Sequence, residues 1–186
     1  MMPVALSDVI AVGEVPTLEQ IAILAAAGFR SLLNTQPEGE VARHMSSADC
    51  FAACETSGLV YRHIPVESRR PPEPEIQAFT QALAELPKPI YACCYSGSRT
   101  AAVWALAATS SRAPDEIIAA GLAAGYDIAF MRDELVARHA EQARGGAPVA
   151  RPPGDTAAPA AAVLPVLVPS IIVPRAASAG GFAVAG

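Results

Sequence analysis

The chain has 186 residues, of which 52% are hydrophobic and 17% charged, with a formal net charge of -5. That leaves room for one compact domain and a remainder, and it excludes collagen-like, coiled-coil and highly charged disordered classes. Its 13 Lys and Arg are scattered among 18 acids, so the clustered positive charge that holds nucleic-acid phosphates is missing and no nucleic-acid partner is expected.

The opening stretch MMPVALSDVIAVGEV lacks the basic segment of a signal peptide, and a cytoplasmic location is the expectation. Asp8 to Val12 reads as a short first strand. Thr17 opens a helix, with Gln20 three residues on to complete a capping box, and Ile21, Leu24 and Ala25 form its apolar face until Gly28 stops it. Phe29 to Asn34 is a second strand, followed by the loop Thr35 to Glu40. Ser47 caps a helix through Phe51 and Cys54 that Gly58 closes. Leu59 to Val66 alternates as a third strand and leads into the polar, Pro-rich loop Glu67 to Pro72.

Ile76, Phe79, Leu83 and Leu86 recur at helical spacing over Glu73 to Leu86. Pro89 to Cys93 has the length and composition of a buried strand. Three helices follow, Arg99 to Thr109, Pro114 to Ala124 and Asp127 to about Ala143, with Trp104 as a core residue and His139 as a dipole partner near a helix end. Strands separated by helices require crossovers, so the predicted class is α/β, a mainly parallel four-stranded sheet flanked by helices on both faces. Ligands then collect beyond the carboxyl ends of the strands, at the loops after Asn34, Val66 and Cys93.

Residues 1–143 form the predicted domain, and residues 144–186 are a linker or tail of Ala, Pro and Gly expected to be disordered. The uncharged run from Thr156 to Pro174 is long enough for a bilayer, but Pro159, Pro165 and Pro169 would each cost a helix interior about 3 kcal/mol, and no membrane span is expected. The last residues, SIIVPRAASAGGFAVAG, faintly resemble the opening of a flavin-binding dinucleotide fold, as the truncated start of a fused flavin oxidoreductase would. Ala176 and Ser178 stand where its first two glycines belong and Gly181 alone fits, so no flavin or other cofactor is predicted.

The four cysteines fall as Cys50 with Cys54 and Cys93 with Cys94. An adjacent pair does not readily give two corners of a tetrahedral zinc site, and no metal is predicted. Cys50 and Cys54 read as core-facing helical positions. The segment Pro89-Ile90-Tyr91-Ala92-Cys93-Cys94-Tyr95-Ser96-Gly97-Ser98-Arg99-Thr100 passes from strand to helix through a small polar turn. Inward-pointing N–H groups and the helix dipole make such a turn a cradle for an anion. A cysteine at its mouth has its thiolate favoured by those donors and by Arg99.

Cysteine-dependent phosphatases place five residues between nucleophile and arginine, and rhodanese-like sulfurtransferases place four. Five residues lie between Cys93 and Arg99, and four between Cys94 and Arg99. Cys94 is the preferred nucleophile because Cys94-Tyr95-Ser96-Gly97-Ser98-Arg99-Thr100 is the better motif, and Cys93 is the alternative. A vicinal disulfide between the two would be strained and would switch the nucleophile off. Glu38, Glu40 and Arg43 are candidates for the rim of the same pocket.

GEVPTLEQIAILAAAGFRSLLNTQPEGE, LVYRHIPV, the cysteine loop followed by AAVWALAA, and DEIIAAGLAAGYD together resemble the phosphatase-like domain of the beta-lactamase hydrolase-like protein family, over roughly residues 6–135. The resemblance implies a protein-tyrosine-phosphatase-like α/β fold, with Cys94 as nucleophile, Arg99 as anion-binding residue and Thr100 as the hydroxyl beside the sulfur. Tyr95, Ser96, Gly97 and Ser98 would line the substrate phosphate. It implies a cysteinyl-phosphate intermediate and no metal.

The leaving-group acid in such enzymes is commonly an Asp some thirty residues upstream, and no Asp lies between Asp49 and Asp115. Glu67, 27 positions before Cys94, is the available carboxylate at a strand end, with His63 as a second candidate. The expected partner is a phosphate ester, a sulfur-bearing small anion or a phosphoprotein. A sulfurtransferase working through a Cys94 persulfide, or a non-catalytic anion-binding module, are the alternatives.

Overall fold

Strand β1 (Val4–Ala5) pairs antiparallel with β2 (Ile10–Glu14), and the residues between them reverse tightly, the N–H groups of Leu6 and Ser7 both donating to the Ile10 carbonyl. The computed structural model describes residues 3–42 and 44–145; Arg43 as a rim residue and the expectations for residues 146–186 lie outside these. Helix α1 (Leu18–Ala26) follows, then β3 (Ser31–Asn34), α2 (Ser47–Ser57), β4 (Val60–His63), α3 (Glu73–Glu85), β5 (Ile90–Cys94), α4 (Ser98–Ala108), α5 (Pro114–Ala123), a 3-10 turn at Ala129–Met131 and α6 (Arg132–Gly145).

The sheet has five strands in the order β1-β2-β5-β3-β4. This corrects the expected four: the additional strand is the two-residue β1, too short to carry any alternation that a sequence would show. β2, β5, β3 and β4 run parallel, as the crossover helices require. The first long strand begins two residues later than the apolar pattern suggests, because Ser7 and Asp8 belong to the reversal.

Local chemistry sets the helix ends. Thr17 caps α1 in a full capping box with Gln20. Ser46, rather than Ser47, caps α2 by accepting from the Asp49 N–H, and Gly58 ends that helix in the left-handed conformation at φ 74°. His139 donates from Nδ1 to the Thr109 carbonyl at 2.7 Å, so it serves the C-terminus of α4 and not of its own helix.

Alternation along the strands divides the interior into two cores. Ile90 and Ala92 of β5 and Leu33 of β3 face the larger core, with Phe79, Trp104, Leu106 and Ile117 of the helices. Tyr91 and Cys93 of β5 and Leu32 of β3 face the other, with Ile21, Leu24 and Cys54 of α1 and α2. Each such buried apolar side chain stabilises the fold by about 1.5–3 kcal/mol. β5 is thus covered on both faces and flanked on both edges, so its carboxyl end is held by neighbours on every side. Among the described residues no helix is long and apolar enough to cross a membrane.

Candidate active site

Cys94 is the last residue of β5, and Gly97, at φ +83°, turns the chain into α4. A side chain at position 97 would be strained by that φ and would overlap the Tyr126 hydroxyl, which donates to the Ser96 carbonyl at 3.3 Å. The turn is therefore tight, and its N–H groups close around one sulfur. Burial pushes the Cys94 thiol up, but hydrogen bonds from the Thr100 N–H and hydroxyl and from the Ser96 and Arg99 N–H groups outweigh it and bring the pKa below the usual value.

Cys93 stands in the opposite environment. Successive strand residues point to opposite faces, so its side chain enters the core between the sheet and α1–α2, with its sulfur 3.8 Å from Asn34 Oδ1. Burial, then the neighbouring thiols, push Cys93 well above its ordinary value. Cys50 and Cys54, buried on α2, are raised in the same way to about 11 and about 12, each by burial first. Of the four thiols, Cys94 alone is stabilised as a thiolate. Among the described residues no cluster of ligating side chains could hold a metal ion.

Arg99 lies under the same turn with its side chain 11% exposed. Burial opposes its charge, yet the hydrogen bond to Glu40 and the attraction of the Cys94 sulfur hold its pKa above the usual arginine value. Its Nη2 donates to Glu40 Oε2 at 2.5 Å. The loop after β3 thus delivers a carboxylate to the arginine, a contact no spacing rule announces. Glu38, the other acid of that loop, accepts instead from the Ser47 N–H at 3.0 Å, at the start of α2.

Cys94 is wholly buried, and the ring of the exposed Tyr95 next to it stacks on His44 at 5.8 Å. Two clefts of about 220 Å³ open nearby, one lined by residues of the loop after β3, from Asn34 to Ser46, the other reaching Ser98. Neither has Cys94 on its wall. An incoming anion meets an arginine already paired with Glu40.

Sequence reasoning missed Thr35, the first residue beyond β3. Its N–H and its hydroxyl reach the Cys93 carbonyl at 2.7 and 2.9 Å, and its Oγ1 lies 2.7 Å from Thr100 Oγ1. The signal was its place directly after a strand's carboxyl end. Val66, whose N–H donates to the Thr35 carbonyl at 2.9 Å, brings the third loop alongside. Glu67 follows it, exposed, and its charge acts on Glu75 of α3, whose carboxyl is raised by burial and then by Glu67. His63 donates from Nε2 to the Gln36 carbonyl at 2.8 Å, and Gln36 Oε1 meets His44 Nδ1 at 2.9 Å. Its ring nitrogen is occupied in holding the loop after β3.

The profile of the beta-lactamase hydrolase-like protein, phosphatase-like domain, matches residues 4–111. A beta-lactamase hydrolase-like protein of Xylella fastidiosa is 30% identical over 130 residues, covering 69% of this chain and 30% of that protein. One from Agrobacterium fabrum is 29% identical over 106 residues, covering 57% of this chain and 25% of the relative. The chain therefore spans less than a third of the length of these relatives. Among solved structures, a phosphatase-like protein of Neisseria meningitidis superposes with a TM-score of 0.67 at 22% identity, over 74% of this chain and 99% of that one. PTPMT1 superposes with a TM-score of 0.60 at 16% identity, over 77% and 97%. These similarities show a protein-tyrosine-phosphatase-like α/β fold.

Proposed function

Since the chain belongs to the phosphatase-like domain family of the beta-lactamase hydrolase-like proteins, we propose that this phosphatase-like hydrolase works through Cys94 and a cysteinyl-phosphate intermediate. The observation that carries the proposal is the convergence of three N–H groups, the Thr100 hydroxyl and the Arg99 guanidinium on the Cys94 sulfur.

The phosphate of a substrate ester replaces the Glu40 carboxylate on Arg99, and its equatorial oxygens take the N–H groups of Tyr95, Ser96, Gly97 and Ser98 and the guanidinium. The Cys94 thiolate attacks phosphorus in line, forming the S–P bond as the P–O bond to the leaving group breaks. Glu67 gives its proton to the departing oxygen and, now a carboxylate, takes one from the water that attacks phosphorus in the second step. That step breaks the S–P bond, releases inorganic phosphate and returns the thiolate, which Thr100 stabilises. The turn supplies the charge stabilisation for both transition states. The substrate is a phosphate ester, either a small molecule or a phosphoprotein, and four free thiols fit a reducing, cytoplasmic compartment.

A second activity is favoured by one observation, the four-residue interval between Cys94 and Arg99, which gives a narrower ring than five. In sulfur transfer Cys94 would take the outer sulfur of thiosulfate as a persulfide, releasing sulfite, and pass it to an acceptor such as cyanide. Steady-state assays with an aryl phosphate and with thiosulfate plus cyanide separate the two. Phosphatase turnover that disappears in Cys94→Ser, with phosphate found on Cys94 in the acid-quenched protein, is the expected result. Turnover that survives Cys94→Ser refutes both. Phosphate binding that needs Arg99, without any turnover, would make the domain an anion-binding module instead.

A further inference from the structure

A cleft of about 220 Å³ opens beside the cysteine loop, lined by Arg69, Ser98, Gly125, Tyr126, Asp127 and Ile128. Drug-sized ligands need roughly 300–1,000 Å³, so this is the size of a subsite for one ligand group. Ser98 links it to the site already described. It is the first residue of α4, and its Oγ lies 3.0 Å from Ser96 Oγ in the turn around Cys94. Tyr126 forms the wall between them, with its hydroxyl bonded to the Ser96 carbonyl. Burial and then the Cys94 charge push that hydroxyl up, in keeping with its place near the sulfur.

The cleft has one well-anchored cation. Arg69 Nη2 donates to the Asp127 carbonyl at 2.9 Å, and its guanidinium lies 4.1 Å over the Phe130 ring. A guanidinium has five N–H donors, and the Asp127 carbonyl takes only one of them. Fastened on one edge and one face, the group keeps donors for a ligand at little cost in side-chain freedom. Of the neighbouring charges, Arg70 pairs with Glu134 at 3.9 Å, the Asp127 carboxylate accepts from the Ala129 N–H at 3.0 Å, and Glu14 acts on Tyr126.

We propose that this cleft is a second anion subsite, in which Arg69 holds a carboxylate or phosphate on the organic part of the substrate while the reacting phosphate sits in the Cys94 turn. The inference rests on the phosphatase function proposed above and narrows its substrate class to phosphate esters that carry a second acidic group.

The test is calorimetric binding to the full chain carrying Cys94→Ser, with phenyl phosphate and the three carboxyphenyl phosphates as probes. One isomer is expected to bind roughly five- to tenfold tighter than phenyl phosphate, the scale of one charge-assisted hydrogen bond at a partly exposed site. Adding Arg69→Ala brings that ratio to about one, and Arg69→Glu takes it below one. Should Arg69→Ala fail to fold, because Arg69 packs on Phe130, Arg69→Gln makes the same comparison. A ratio unaffected by any Arg69 variant, or no isomer preferred, overturns the subsite while leaving the Cys94 turn intact. Failure of phenyl phosphate itself to bind overturns the turn as a phosphate site, and the subsite with it.

Discussion

The hydroxyls of Thr35 and Thr100 lie 2.7 Å apart beneath Cys94, although 65 positions separate them in the chain. Each carries one proton. If Thr35 gives its proton to Thr100, Thr100 is free to give its own to the Cys94 sulfur, and the Cys93 carbonyl stays satisfied by the Thr35 N–H at 2.7 Å. Removing Thr35's hydroxyl leaves Thr100 without that support. Thr100→Val is expected to raise the Cys94 pKa, a hydrogen bond to a charged group being worth roughly 1.5–3 kcal/mol, and Thr35→Val to raise it less. Alkylation rate against pH measures both; a Thr35→Val profile identical to that of the unmodified protein would remove Thr35 from the network.

The two adjacent cysteines are expected to separate cleanly in function. Cys94→Ala should lower phosphate-ester turnover on the order of a thousandfold or more, as loss of a nucleophile does. Cys93→Ala empties a sulfur-sized space in the α1–α2 core and should cost about 1–2 kcal/mol of stability with kcat retained. Denaturant unfolding alongside steady-state kinetics tests the pair. Greater loss of turnover in Cys93→Ala than in Cys94→Ala would exchange their roles.

Glu40 holds a negative charge against the guanidinium that the incoming phosphate needs. Replacing it by Gln leaves the cation uncompensated, so inorganic phosphate should bind several-fold tighter and the Cys94 thiol should titrate lower. Competition of phosphate against alkylation reports both quantities in one experiment. Weaker phosphate binding in Glu40→Gln would show that the carboxylate aims Arg99 rather than competing for it.

Far from the sulfur, Arg138 on α6 clasps Glu73 at the start of α3 through Nη1 and Nη2, at 2.5 and 2.9 Å. The bond to Arg138 is the main cause of a Glu73 pKa below the usual value. A depressed carboxylate stabilises the folded state above its unfolded pKa and loses that contribution as pH falls through the folded one. With Glu73's side chain 48% exposed, screening keeps the worth of the pair to about 1 kcal/mol or less. The Tm gap between the unmodified protein and Glu73→Gln should therefore be a few degrees at pH 7 and close below about pH 4.5. A gap unchanged down to pH 3 would assign it to packing.

Much of the fold was legible because its signals are local. Thr17 with Gln20, and Gly58 at a left-handed helix end, act within one turn of chain and need no knowledge of the rest. Strand order was not legible, since the placing of β5 between β2 and β3 depends on pairings more than fifty residues apart. The cysteine turn announced itself by its composition, but the opposed faces of Cys93 and Cys94 emerge only because β5 runs on through Cys94. The loop after β3 was legible as a place, beyond a strand's carboxyl end and carrying Glu40, but the partners its residues take were not. Its two contributions, Glu40 on Arg99 and Thr35 on Thr100, come from the path of the backbone between elements and not from any repeat in it.

The opposed faces of Cys93 and Cys94 also bear on how the protein meets peroxide. A sulfenic acid formed on Cys94 has no resolving thiol within the fold: Cys93 points through the sheet, and Cys50 and Cys54 are buried on the far side with it. Rescue must come from a small external reductant able to enter the turn. Without one, the sulfur goes on to the irreversible sulfinic and sulfonic acids unless it condenses with a backbone nitrogen of the turn.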